Sequence, residues 1–81
     1  MTRDDIRALV ESKLKDVAPE IGGEPIAPDE SFRDQFELDS MDFLNFITAL
    51  HEATGLEFPE ADYPRLMTVG GCVDYIAGHS R

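Results

Sequence analysis

Three stretches of this chain repeat apolar residues at helical spacing, and none alternates them at strand spacing, which restricts it to an all-helical fold. The first begins at Thr2, which with Asp5 has the form of a weak capping box. It runs through Ile6, Leu9, Val10, Leu14 and Val17 and ends before Pro19. Asp4 and Asp5 near its start and Lys13 and Lys15 near its end complement the helix dipole. The second begins at Asp39, with Asp42 at the third helical position. It places Phe43, Phe46, Ile47 and Leu50 on one face and Asn45, Thr48, His51 and Glu52 on the other, and Gly55 follows Thr54 as a natural C-terminal cap. The last takes Thr68 as its cap, repeats Val69, Cys72, Val73 and Ile76, and is expected to stop at Gly78.

The segments between these stripes read differently. Pro19 to Leu38 holds three prolines, two glycines and several acids, which predicts a long loop. Ile21, Ile26, Phe32, Phe36 and Leu38 give that loop anchors on a core, and Pro28 to Ser31 can open one helical turn before Phe32. Leu56 to Pro59 reads as an extended connector. Glu60 to Met67 reads as a short helix of one or two turns, with Pro64 tolerated only near its start. The expected fold is an all-α four-helix bundle of three longer helices and one short one, with a long loop between helices one and two. At 81 residues it forms a single domain, 1–81, near the size where folding buries only about 60% of the unfolded chain's surface.

Charge limits the function classes. Seventeen acidic against seven basic side chains leave a net charge of -10, which disfavours nucleic acid and anionic membranes as partners and favours proteins with basic patches. No apolar run reaches the length of a membrane span or of a secretory signal. The single cysteine, Cys72, excludes an internal disulfide, and no cluster of His and Cys suggests zinc. A cytoplasmic monomer is the expectation.

The chemically suggestive residue is Ser40, in E-L-D-S-M-D-F from Glu37 to Phe43. A serine hydrolase needs a base, an orienting acid and a turn such as G-x-S-x-G, and none accompanies it. His51 lies three turns along the same helix, about 16 Å away, too far to take the Ser40 proton. It reads as a solvated helix residue, and His79 as part of a frayed tail. The acids around Ser40 lack the spacing of a calcium loop, so no metal site is expected. Cys72 falls on an apolar stripe, where an inert buried thiol is the expected role. Two readings of Ser40 stay open: a helix cap, or a hydroxyl placed to carry a phosphodiester where backbone N–H groups and the dipole favour an anion. Having no base, it would need another protein to perform that transfer.

The chain resembles the acyl carrier proteins, in the manner of a discrete, type II-like member. The likeness rests on Asp39-Ser40-Met41 at the place of the family's D-S-L motif, on the apolar helix ending in A-L-H-E-A-T-G-L-E-F-P, and on M-T-V-G-G-C-V-D-Y-I from Met67 to Ile76. It covers nearly the whole chain with matching spacing. The resemblance implies a non-enzymatic carrier whose Ser40, behind Asp39, bears a covalent 4'-phosphopantetheine arm. A phosphopantetheinyl transferase would add that arm from coenzyme A using magnesium. Acyl or aminoacyl groups would ride on the arm's terminal thiol as thioesters, in fatty acid, polyketide or other specialised biosynthesis.

The resemblance further implies recognition by the transferase and by loading ligases and synthases with basic patches. That role carries over to Asp39, Met41 and Asp42, with Glu57, Glu60 and Asp62 as weaker candidates. Exposed charge pairs add only about 0–1 kcal/mol each but raise encounter rates and choose partners. The alternative from a different class is an acidic helical adaptor in which Ser40 is only a cap.

The chain departs from the family's pattern at three places: Glu37 stands where the family has glycine, Met41 replaces leucine, and Asn45 and Thr48 replace helix-two acids. Phe43 and Phe46 also bear on cargo. A buried CH₂ is worth about 0.8 kcal/mol, so a sheltered fatty chain would stabilise the fold if room existed. If the two rings fill that room, a short, polar or aminoacyl group is the expected cargo.

Overall fold

A computed structural model describes residues 2–21, 26–36 and 38–79. Four α-helices, α1 (Arg3–Val17), α2 (Phe32–Phe36), α3 (Ser40–Thr54) and α4 (Val69–His79), surround one apolar core, and no strand occurs among the described residues. Two 3₁₀ segments complete the order, a turn at Pro19–Ile21 and a longer helix at Glu60–Leu66. The bundle thus has the three longer helices expected, and the short helix in the second half is 3₁₀ in form.

Helix α1 is fixed by the full capping box: the Thr2 hydroxyl accepts from the Asp5 N–H, and the Asp5 carboxylate accepts from the Thr2 N–H, both at 3.1 Å. Its buried face is Ile6, Val10 and Leu14, while Leu9 and Val17 sit half-buried at the edges of the stripe. A 15-residue helix is marginal alone in water. Packing on α3 and α4 is therefore what holds it.

The long connection after α1 is more ordered than its composition suggests, because its backbone groups find definite partners. Ser31 caps α2 by accepting from the Asp34 N–H at 3.2 Å. The Gln35 amide accepts from Ala27 N–H and donates to the Ala27 and Glu30 carbonyls. Two bonds then tie the loop across the molecule: Phe32 N–H donates to Met67 O at 2.8 Å, and Gly70 N–H donates to Pro28 O at 2.9 Å. The Phe32 ring enters the core edge-on to Phe46, with centroids 5.3 Å apart.

Helix α3 buries the expected stripe, Phe43, Phe46, Ile47 and Leu50, and ends where Gly55 adopts φ 73°. That left-handed cap suits glycine because it carries no Cβ. His51 is exposed but not merely solvated. Its Nδ1 lies 2.7 Å from the Leu56 carbonyl, which can only accept, so the ring pins the connector that follows the cap.

Pro64 sits well inside the 3₁₀ helix and not near its start, contrary to expectation. A short 3₁₀ segment asks for few sustained backbone bonds, so one missing donor is tolerated there. In α4 the Thr68 hydroxyl accepts from Gly71 N–H at 2.9 Å, and Val69, Cys72, Val73, Tyr75 and Ile76 are buried.

Gly71 is a close-approach position: a Cβ there would strike the Arg65 carbonyl oxygen. Gly78 does not stop the helix, which continues through His79. His79 is no frayed tail: its ring stacks on Tyr75 at 4.2 Å and its Nδ1 sits 2.8 Å from Tyr75 O.

Candidate functional site

At the start of α3, Asp39 is the N-cap in extended conformation, and its carboxylate accepts from the Asp42 N–H at 2.8 Å. Ser40 is therefore the first helical residue and not the cap, and its side chain is exposed. Its hydroxyl stands at the positive end of a 15-residue helix, where free backbone N–H groups favour an anion. His51 is at the opposite end of that helix, occupied with Leu56.

Beside Ser40 opens a groove of about 490 Å³, within the range of small-molecule sites, about 300–1,000 Å³. Phe32, Leu38, Phe43 and Leu44 line it together with Tyr63, Pro64 and Met67 from the 3₁₀ helix and its end. Phe43 meets Tyr63 edge-on, centroids 5.4 Å apart. The two rings expected to bear on cargo take different places beside this groove. Phe46 is a fully buried core ring, and Phe43, which is 8% exposed, is part of the wall. A groove thus remains beside the two rings.

The recognition candidates divide. Met41, 69% exposed, and the half-buried Asp42 share the first turn of α3 with Ser40, while Asp39 and Glu60 line the groove itself. Glu57 is exposed on the connector and is not part of the groove lining. Asp62 is engaged elsewhere: its carboxylate accepts from the Tyr75 hydroxyl at 2.9 Å. Glu37 lies outside the described residues.

Residues missing from the sequence reading are Arg33, Leu44 and Tyr63, all in the groove. Arg33 had a signal, being the only Lys or Arg between Lys15 and Arg65. Leu44, 46% exposed, falls between the core stripe and the polar face, where periodicity does not decide.

A second cluster lies around Tyr75. Arg65 stands 5.1 Å over its ring, and Phe58 and His79 pack against it. Burial raises the Tyr75 hydroxyl above its ordinary value, the bond to and charge of Asp62 raise it further, and Arg65 opposes this. The Cys72 thiol donates to Leu66 O at 3.3 Å, and burial pushes it up to about 12, as suits an inert structural thiol. Among the described residues no group of three or more His, Cys, Asp or Glu side chains is placed to hold a metal ion. No helix among them is long and apolar enough to cross a membrane.

Comparison with known proteins bears on the chain as a whole. Residues 4–76 match the family model described as "Phosphopantetheine attachment site". The chain is 39% identical over 54 residues to an acyl carrier protein of Rubrobacter xylanophilus, covering 67% of each chain. It is 34% identical over 67 residues to one from Acidothermus cellulolyticus, covering 79% of this chain and 80% of the relative. With one from Lactobacillus johnsonii it shares 34% over 71 residues, 84% of this chain and 89% of the relative.

Proposed function

The chain belongs to the acyl carrier proteins, and from that premise we propose that Ser40 is the attachment point of its arm. Membership implies a covalent 4'-phosphopantetheine group, a carrier role in place of catalysis, and dealings with a phosphopantetheinyl transferase and acyl-handling enzymes. The arm, when present, supplies the thiol that holds cargo as a thioester.

One observation carries the assignment to Ser40: Asp39 takes the cap, leaving the Ser40 hydroxyl exposed at the first turn of α3 on the rim of an apolar groove. The adaptor alternative needs Ser40 as the cap, and Asp39 occupies that role. The single shared core supports reading residues 1–81 as one carrier unit. Asp39, Met41 and Asp42 are the surface a basic partner meets first, with Glu60 on the groove beside them. Glu57 and Asp62 are secondary contacts at most, Asp62 being committed to Tyr75.

The protein acts as a cytoplasmic monomer that presents acyl or aminoacyl intermediates to ligases and synthases of fatty acid, polyketide or other specialised biosynthesis. Its net charge of -10 steers basic enzymes to it and makes their docking transient and salt-sensitive. Incubation with a broad-specificity transferase, magnesium and coenzyme A adds the mass of one arm to the intact protein; no addition contradicts the reading. The groove further leads us to expect that an octanoyl-loaded form melts above an acetyl-loaded form. Equal melting temperatures argue against a sheltered chain.

A further inference from the structure

An arm attached at Ser40 brings a phosphodiester anion to a place that already has two carboxylates on its groove, Asp39 and Glu60. Among the described residues lining that groove Arg33 is the one cation. Arg3, Arg7 and Lys13 each face a carboxylate partner, whereas for Arg33, as for Lys15 and Arg65, no carboxylate among the described residues comes within ion-pair distance. The base of its side chain is held in place. The adjoining Phe32 is fully buried against Phe46, the Phe32 N–H is bonded to Met67 O, and Ser31 caps the turn. A net acidic chain thus places a cation on the groove that it shares with the serine proposed to receive an anion.

Resting on the Ser40 attachment, we propose that Arg33 is the positioning residue for the root of the arm, its guanidinium pairing with the phosphodiester and drawing the arm over the groove. The planar fork of a guanidinium matches two phosphate oxygens at once. Between free exposed partners such a pair would be weak. Here the anion is tethered to the same molecule, so pairing is intramolecular at an effective concentration on the order of millimolar. The apolar wall of Phe32, Phe43 and Leu38 lowers the local dielectric on one side of the pair. The Asp39 carboxylate, aimed at the Asp42 N–H, opposes the pairing less than a free carboxylate would.

The test compares wild type, Arg33→Gln and Arg33→Lys after intact mass confirms one arm on each. The ³¹P shift of the phosphodiester is expected to differ between wild type and Arg33→Gln at low salt and to converge at about 1 M salt, where the Debye length is about 3 Å. Arg33→Lys is expected to fall between them, keeping charge without the fork. In ¹⁵N-labelled wild type the Arg33 Nε–Hε resonance is expected to move when the arm is added, a readout that needs no variant to be modified. Superimposable ³¹P shifts together with an unmoved Nε–Hε resonance overturn the proposal. A wild type that accepts no arm instead sinks the Ser40 assignment, so the two failures are distinct.

Discussion

The 3₁₀ helix from Glu60 to Leu66 separates two aromatic clusters made of similar residues but finished in opposite ways. On one side Tyr75 is closed in: its hydroxyl donates to Asp62, Arg65 lies over its ring, and Phe58 and His79 pack against it. On the other side Phe43 and Tyr63 line an open groove with the exposed Ser40 and Arg33 at its edge. The division follows from the three-residue period, which eclipses side chains at i and i+3. Asp62 and Arg65 turn together toward Tyr75, and Glu60 and Tyr63 turn together toward the groove. The polar groups of one face are engaged with Tyr75, and those of the other border an open groove.

The largest expected effect breaks both sides at once. Gly71→Ala places a Cβ against the Arg65 carbonyl, so α4 must lift from the 3₁₀ helix. A loss of about 1–3 kcal/mol is expected in denaturant melts; an unchanged midpoint would mean the seating is looser than described. Next, Tyr75→Phe removes the bond to Asp62 at a cost of about 1 kcal/mol while leaving the rate of arm addition unchanged. Asp39→Ala costs about 1 kcal/mol through the lost cap but also slows arm addition, and Asp39→Asn restores the stability alone. That contrast separates the anchoring face from the working one. If Tyr75→Phe slowed the transferase as much as Asp39→Ala, the division would fail.

The smallest effect near neutral pH concerns the closed side. Burial raises the Cys72 thiol from its ordinary 9.0 to about 12 and raises Tyr75 above 10.0. A raised folded value means the stability is fully present below pH 9 and is lost as pH climbs toward 12. Melting temperature is therefore expected to be flat from neutral pH to about 9 and to fall above it, less steeply in Cys72→Ala. A fall beginning near neutrality would contradict the burial of these groups.

The closed side was partly legible in the sequence and the open side less so. Helical spacing found Phe43, Phe46, Ile47, Leu50, Val69, Cys72, Val73 and Ile76, because burial on one helix face leaves a periodic trace. Caps at Thr2, Asp39 and Gly55 were legible for the same local reason. Contacts between distant segments leave no such trace. Phe32 to Met67, Tyr75 to Asp62 and the seat of Gly71 against Arg65 join residues whose neighbours give no hint of one another. His79 stacks on Tyr75 one residue past a glycine that locally reads as a stop. The groove itself left no such trace, because spacing shows that Phe43 is inward but not that its ring borders an opening.

Everything said of the open side depends on where the arm is attached. The most direct measurement is site-localising mass spectrometry of the transferase-treated protein, with Ser40→Ala in parallel. The account requires one arm on Ser40 in the wild type and none on a folded Ser40→Ala. An arm found on another residue, or one that persists in Ser40→Ala, would contradict it.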